Sequence, residues 1–186
     1  YGDIGVCWRL SQNLAAHGQQ VRLWTDDGSA LSWMAPDGNS SVQVQAWPAP
    51  DAMPTPGAVV VEAFGCELPP CYTQAMAVRQ RGGHTPPLWV NLEYLSAETY
   101  TERCHRLPSP VQTGPAQGHS KVFYFPGFTS GTGGLLREFD LPARQQAFDR
   151  LAWLQQFAPA AVRAPGTRTV SLFCYEPLAL PALLQQ

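Results

Sequence analysis

In the opening segment YGDIGVCWRLSQNLAAHG, apolar side chains fall at Ile4, Cys7, Leu10 and Leu14. Spacings of three, three and four predict a helix entered from a short glycine turn, with one apolar stripe facing a core. Gly18 sits where such a helix would end. Beyond it the period changes to two. Residues 21–24 (VRLW) and 42–47 (VQVQAW) alternate as strands. The first runs into Thr25, Asp26, Asp27 and Gly28, and the second into the proline-rich stretch 47–57. Val59, Val60 and Val61 then form a continuous β-branched run, the pattern of a strand covered on both faces and hence of a parallel sheet.

Pro69 and Pro70 suit the first turn of a helix reaching Arg81. LWVNLEYL (88–95) predicts another buried strand, Ser96 the N-cap of a helix through SAETYTERCH, and VFYF (122–125) a strand leading into PGFTSGTGGLLRE. Residues 143–158 place Phe148, Leu151, Leu154 and Ala158 on one helical face. Residues 159–168 have linker composition, TVSLFCY (169–175) predicts a new buried strand, and LALPALLQQ the start of a helix. The expected organisation is an α/β, Rossmann-like domain over 1–158, a linker over 159–168, and over 169–186 the first β-α unit of a second domain. A glycine turn of this kind normally follows a buried strand, so the first strand is expected ahead of Tyr1 and the second domain is expected to continue past Gln186.

A length of 186 residues suits one full α/β domain rather than two. Hydrophobic residues are 45%, charged residues 14%, and the net charge is −2, which lacks the basic excess that phosphate-backbone binding needs. Nucleic acid is therefore not an expected partner. No apolar run approaches the roughly 20 residues of a membrane span, and the expectation is a cytoplasmic chain without membrane association. Cys7, Cys66, Cys71, Cys104 and Cys174 are scattered and odd in number, which suits reduced thiols. Neither they nor His17, His84, His105 and His119 show metal-ligand spacing, and no metal is expected. His17 reads as a helix C-terminal cap, and among the histidines only His105 merits testing.

In parallel α/β sheets, ligands collect at the carboxyl ends of the strands. Gly2 and Gly5 allow close backbone approach, and Asp3, at a helix start, is either an N-cap or a general base. Asp26 and Asp27 stand where a dinucleotide fold holds a ribose hydroxyl, or they close a strand-end turn. PGFTSGTGG offers either an anion nest or a connecting loop, without the ending of a P-loop. Glu93, beside Asn91 and Tyr94, either binds a cation such as a guanidinium or lies on the surface. Glu62 and Glu67, flanking AFGC, are weaker candidates of the same kind.

The blocks YGDIGVCWRL, LWTDD, VVVEAFGCELP, NLEYLSAE, CHRLPSP, FYFPGFTSGTGGLLRE and SLFCYE resemble, in this order, the elongation factor P arginine rhamnosyltransferases. The resemblance spans almost the whole chain. It implies an inverting, metal-independent glycosyltransferase of GT-B architecture, with two Rossmann-like domains facing a cleft, that moves rhamnose from dTDP-β-L-rhamnose to an arginine of elongation factor P. No cofactor is implied. The N-terminal domain would receive the protein acceptor and the C-terminal domain most of the nucleotide sugar. Asp3 resembles the family's catalytic aspartate, which orients the guanidinium and helps remove its proton. Tyr1 and Gly2 would line the rhamnose side, and Tyr175 with Phe173 would face the nucleotide. The family pattern D-N-Y-G-D puts a second aspartate two residues ahead of Tyr1, and its donor-binding glutamate belongs to the second domain, so the 186 residues alone are expected to be inactive. Two other readings stay open on the residues themselves: a nicotinamide-dependent oxidoreductase domain, from the glycine turn with Asp26 and Asp27, and a non-catalytic protein-binding module, from the acidic strand ends.

Overall fold

The structure is a computed structural model; it describes residues 1–162, 166, 170, 172 and 178–185. The chain groups into two compact units, Tyr1–Glu138 and Phe139–Gln186.

The first unit opens with α1 (Gly2–Ala16). The helix ends where expected: Gly18 takes φ +80°, and the Gln19 amide donates to Leu14 O. His17 caps that end, its Nδ1 2.8 Å from Asn13 O. The packed face differs from the expected stripe. Ile4, Trp8, Ser11 and Ala15 face inward, with Trp8 against Leu31 and Val42, while Cys7, Leu10 and Leu14 are half-buried. Ser11 is tolerated inside because its hydroxyl donates to Cys7 O one turn back.

Strand β1 (Val21–Thr25) pairs in parallel with β2 (Val42–Ala46), Val21 opposite Val42, and the short helix α2 (Leu31–Met34) lies between them in sequence. Its four residues are too few for a periodic signal, and the sequence pattern does not show it. The remaining strands are β3 (Val59–Ala63), β4 (Leu88–Leu92), β5 (Pro108–Pro110) and β6 (Ser120–Tyr124). They form a second sheet in the order β3-β4-β6-β5, parallel except for β5. The expected parallel pairing is present, but among the described residues it is divided between two sheets, with β1 and β3 at open edges. β5 escapes the sequence pattern because Pro108 and Pro110 cannot donate to a ladder; an outer antiparallel strand tolerates them.

Helix α3 (Pro70–Arg81) packs Tyr72 and Met76 against Val60 and Trp89. Full burial of a side chain such as Met76 contributes about 2 kcal/mol. The expected covering of Val59–Val61 on both faces is not found. Val60 is buried, whereas Val59 and Val61 are 56% and 40% exposed. Only the face carrying Val60 and Glu62 meets α3, so the run alternates after all. Helix α4 (Tyr100–Cys104) starts later than Ser96 suggests; Ser96 Oγ instead accepts the Glu98 amide in a turn ahead of the helix.

In the second unit the expected continuous helix 143–158 is two helices, α5 (Leu141–Ala147) and α6 (Arg150–Phe157). Phe148 is extended, and Asp149 accepts the Ala152 amide as N-cap of α6. A capping aspartate inside an apolar period therefore restarts the helix. A 3-10 turn (Pro159–Val162) and α7 (Leu180–Leu184) follow. The strand expected over 169–175, with Phe173 and Tyr175, lies outside the described residues apart from Val170 and Leu172.

Candidate functional site

Gly2 and Asp3 lie in the first turn of α1, and Tyr1 occupies its N-cap position without a side-chain capping bond. Asp3 is thus inside the helix rather than at its cap, near the partly positive end of the backbone dipole. Its Oδ2 accepts a 3.1 Å hydrogen bond from the Tyr94 hydroxyl. The neighbourhood of Gly2 is open, since a Cβ there would meet nothing within 4 Å. Gly5 lets α1 approach α2, where a Cβ would lie 2.9 Å from Met34 Cε. The exposed Tyr1 ring meets Trp33 edge-on at 5.8 Å.

Tyr94 follows the carboxyl end of β4 and stacks on Phe64, which follows the carboxyl end of β3, with centroids 4.5 Å apart and planes 20° from parallel. Phe64 has φ +57°, and its amide donates to Leu92 O. Glu93, between β4 and Tyr94, is half-buried; its amide donates to Tyr124 O and its Oε1 accepts from Asn91 Nδ2 at 2.6 Å. The structure thus brings together Asp3 and Tyr94, with Glu93 adjacent in the chain and tied to Asn91. Phe173 and Tyr175 lie outside the described residues.

Other candidates resolve into structural roles. Asp27 Oδ1 accepts the Ser29 amide, which holds its carboxyl below the ordinary range, and Asp26 Oδ1 accepts the Asp27 amide. These carboxylates close the turn after β1. The glycine loop closes on itself: the Gly127 amide donates to Gly134 O, Gly133 to Phe125 O and Thr132 to Thr129 O, so these three amides are not an open anion nest. Glu62 is 2% exposed and accepts from Trp89 Nε1 and from Lys121 Nζ at 2.9 Å, tying β3, β4 and β6 together. His105 Nδ1 accepts the Phe125 amide, a structural role, and burial first and Arg106 second push its pKa down. Burial pushes the Cys7 thiol up to about 11, with smaller contributions from Cys66 and Asp3, which removes it as a nucleophile near neutral pH.

Depressions among the described residues include two that lie elsewhere. One, about 370 Å³, runs between residues 53–56 and α3 and includes Arg79 and His84; the other, about 110 Å³, is lined by Ser96, Glu98, Thr101 and Glu102 among others. Among the described residues no group of three or more His, Cys, Asp or Glu side chains could hold a metal ion. No described helix is long and apolar enough to cross a membrane. Sequence reasoning treated Tyr94 only as a neighbour of Glu93 and passed over Phe64. The available signal was a phenylalanine directly before Gly65 at a strand end.

Parallel-rich α/β sheets of this kind are consistent with a Rossmann-like domain, in which an exposed carboxylate at a helix start meets a tyrosine that follows a strand's carboxyl end. The family described as elongation factor P (EF-P) rhamnosyltransferase EarP matches residues 1–186, and the chain belongs to it. Similar proteins include a protein-arginine rhamnosyltransferase of Pseudomonas putida, 47% identical over 95% of this chain and 48% of its own length. Another, of Pseudomonas aeruginosa, is 46% identical over the whole chain and 50% of its own length. A third, of Shewanella oneidensis, is 38% identical over the same shares. The chain spans about half the length of these curated relatives.

Proposed function

We propose that the protein carrying this chain is a cytoplasmic protein-arginine rhamnosyltransferase of GT-B architecture. It transfers rhamnose from dTDP-β-L-rhamnose to an arginine of elongation factor P, and this chain supplies the acceptor domain and the base. The observation that supports this most directly is the Asp3 carboxylate, exposed in the first turn of α1 and held on one oxygen by Tyr94. Family membership and the names of the relatives point to the same chemistry.

A guanidinium is protonated at any physiological pH and is no nucleophile. In this reading Asp3 accepts an Nη proton as that nitrogen attacks the anomeric carbon. The N–C bond forms as the bond to the diphosphate oxygen breaks, dTDP leaves on the opposite face, and the configuration inverts. Glu93 supplies a second carboxylate for the cationic acceptor and Tyr1 and Gly2 border the sugar, while the family resemblance alone assigns nucleotide binding to Phe173 and Tyr175. The step needs no metal or other cofactor in this mechanism.

The test is the intact mass of elongation factor P after incubation with dTDP-β-L-rhamnose and the enzyme at the full length of its relatives. A gain of one deoxyhexose is expected. Asp3→Asn, which removes the base and keeps the shape, should lower the rate by about 100-fold or more. Wild-type turnover in Asp3→Asn would reduce Asp3 to a helix-start residue. No mass gain with the unmodified enzyme would leave the fold without this activity.

A further inference from the structure

We propose that Tyr94 is a positioning residue for Asp3, and that the left-handed Phe64 fixes Tyr94 in place; the inference rests on the reading of Asp3 as the base. Asp3 is exposed in the first turn of α1. An aspartate there can swing among rotamers and toward its own helix amides. Here Oδ2 is instead engaged by the Tyr94 hydroxyl at 3.1 Å. Engaging one oxygen sets the plane of the carboxylate and leaves Oδ1 to receive the proton.

Tyr94 is itself 54% exposed, so burial does not hold its ring. The stack on Phe64, at 4.5 Å and 20°, supplies a fixed surface. Phe64 achieves this from an unusual backbone state. Its φ of +57° is followed by +73° at Gly65, and its amide donates 2.8 Å to Leu92 O, so the turn after β3 is tied to the end of β4. Were the turn alone at stake, glycine or asparagine would suit position 64 better, because a bulky side chain resists φ near +60°. A phenylalanine kept in that conformation is explained by the use of its ring. The sequence Phe64 to Tyr94 to Asp3 then runs from a rigid strand end to a group that moves a proton.

The experiment uses the full-length enzyme and steady-state kinetics in both substrates. Tyr94→Phe keeps the ring stack and removes only the hydroxyl. It should lower kcat about tenfold while both KM values stay within about twofold and the thermal midpoint is unchanged, because proton-transfer geometry is lost without loss of binding. Phe64→Leu should lower kcat in the same direction. In an Asp3→Asn background, followed over long incubations, Tyr94→Phe should cause no further loss, since its effect passes through Asp3. Wild-type kcat in Tyr94→Phe beside an inactive Asp3→Asn would overturn the positioning role and leave the base intact. A rise in KM alone, or a further loss in the Asp3→Asn background, would overturn it by making Tyr94 a substrate contact. Wild-type turnover in Asp3→Asn would overturn both readings together.

Discussion

Lys121 is the only lysine in the chain, and its ammonium lies on Glu62 and 5.2 Å from the centroid of the Trp89 ring. A carboxylate as buried as Glu62 is tolerable only while its charge is matched. Lys121→Met should therefore cost about 3 kcal/mol of unfolding free energy, measured by denaturant titration, because Glu62 is left charged and uncompensated. Adding Glu62→Gln should recover most of that loss, since the amide oxygen can still accept from Trp89 and no lone charge remains. Equal instability in single and double variants would show that packing of the lysine stem, and not charge, is what matters. Neither partner is recognisable from local pattern. Glu62 stands in the same alternation as the valines before it, and Lys121 is 59 residues distant, so only the parallel register of β3, β4 and β6 brings them together.

At the scale of elements, what periodicity could carry was legible. α1, α3 and the strands 21–25, 42–46, 59–63, 88–92 and 120–124 follow from apolar spacing and proline position. What it could not carry were elements set by single residues or by pairing: α2 with four residues, β5 with its prolines, and the break at Asp149. The candidate site divides in the same way. Asp3 was legible as a carboxylate beside glycines, and Glu93 from its strand end. Tyr94 was not legible as a partner of Asp3, since their contact spans 91 residues. The glycine loop after β6 shows how a pattern can mislead, because Gly127 and Gly133 serve close approach within the protein. The Tyr124 hydroxyl donates to Gly133 O at 2.6 Å, and a Cβ on Gly133 would run into the Tyr124 ring. Gly133→Ala should cost about 2 kcal/mol and open the loop to protease, checked by unfolding and limited digestion; an unchanged digestion pattern would mean the ring shifts aside.

At the scale of the whole chain, β1 and β3 each lack a second paired neighbour among the described residues, and this shapes the expected behaviour of the 186 residues expressed alone. β3 also presents Val59 and Val61 to solvent, and a net charge of −2 gives little mutual repulsion. Self-association that grows with concentration should be seen by sedimentation velocity and should be reduced by Val61→Lys, which places a charge on the edge strand. A monodisperse species at every concentration would show the edges to be protected. The same division has a consequence for the chemistry. α1 packs on the two-stranded sheet, while Phe64 and Tyr94 follow the ends of β3 and β4 in the four-stranded one, so the hydrogen bond to Asp3 links elements of the two. It acts as a caliper: at 3.1 Å, a shift of about an ångström between α1 and the strand ends would open it beyond hydrogen-bond reach. On the proposed reading of Asp3, breaking this one bond would reach the proton-transfer step while both sheets stay paired.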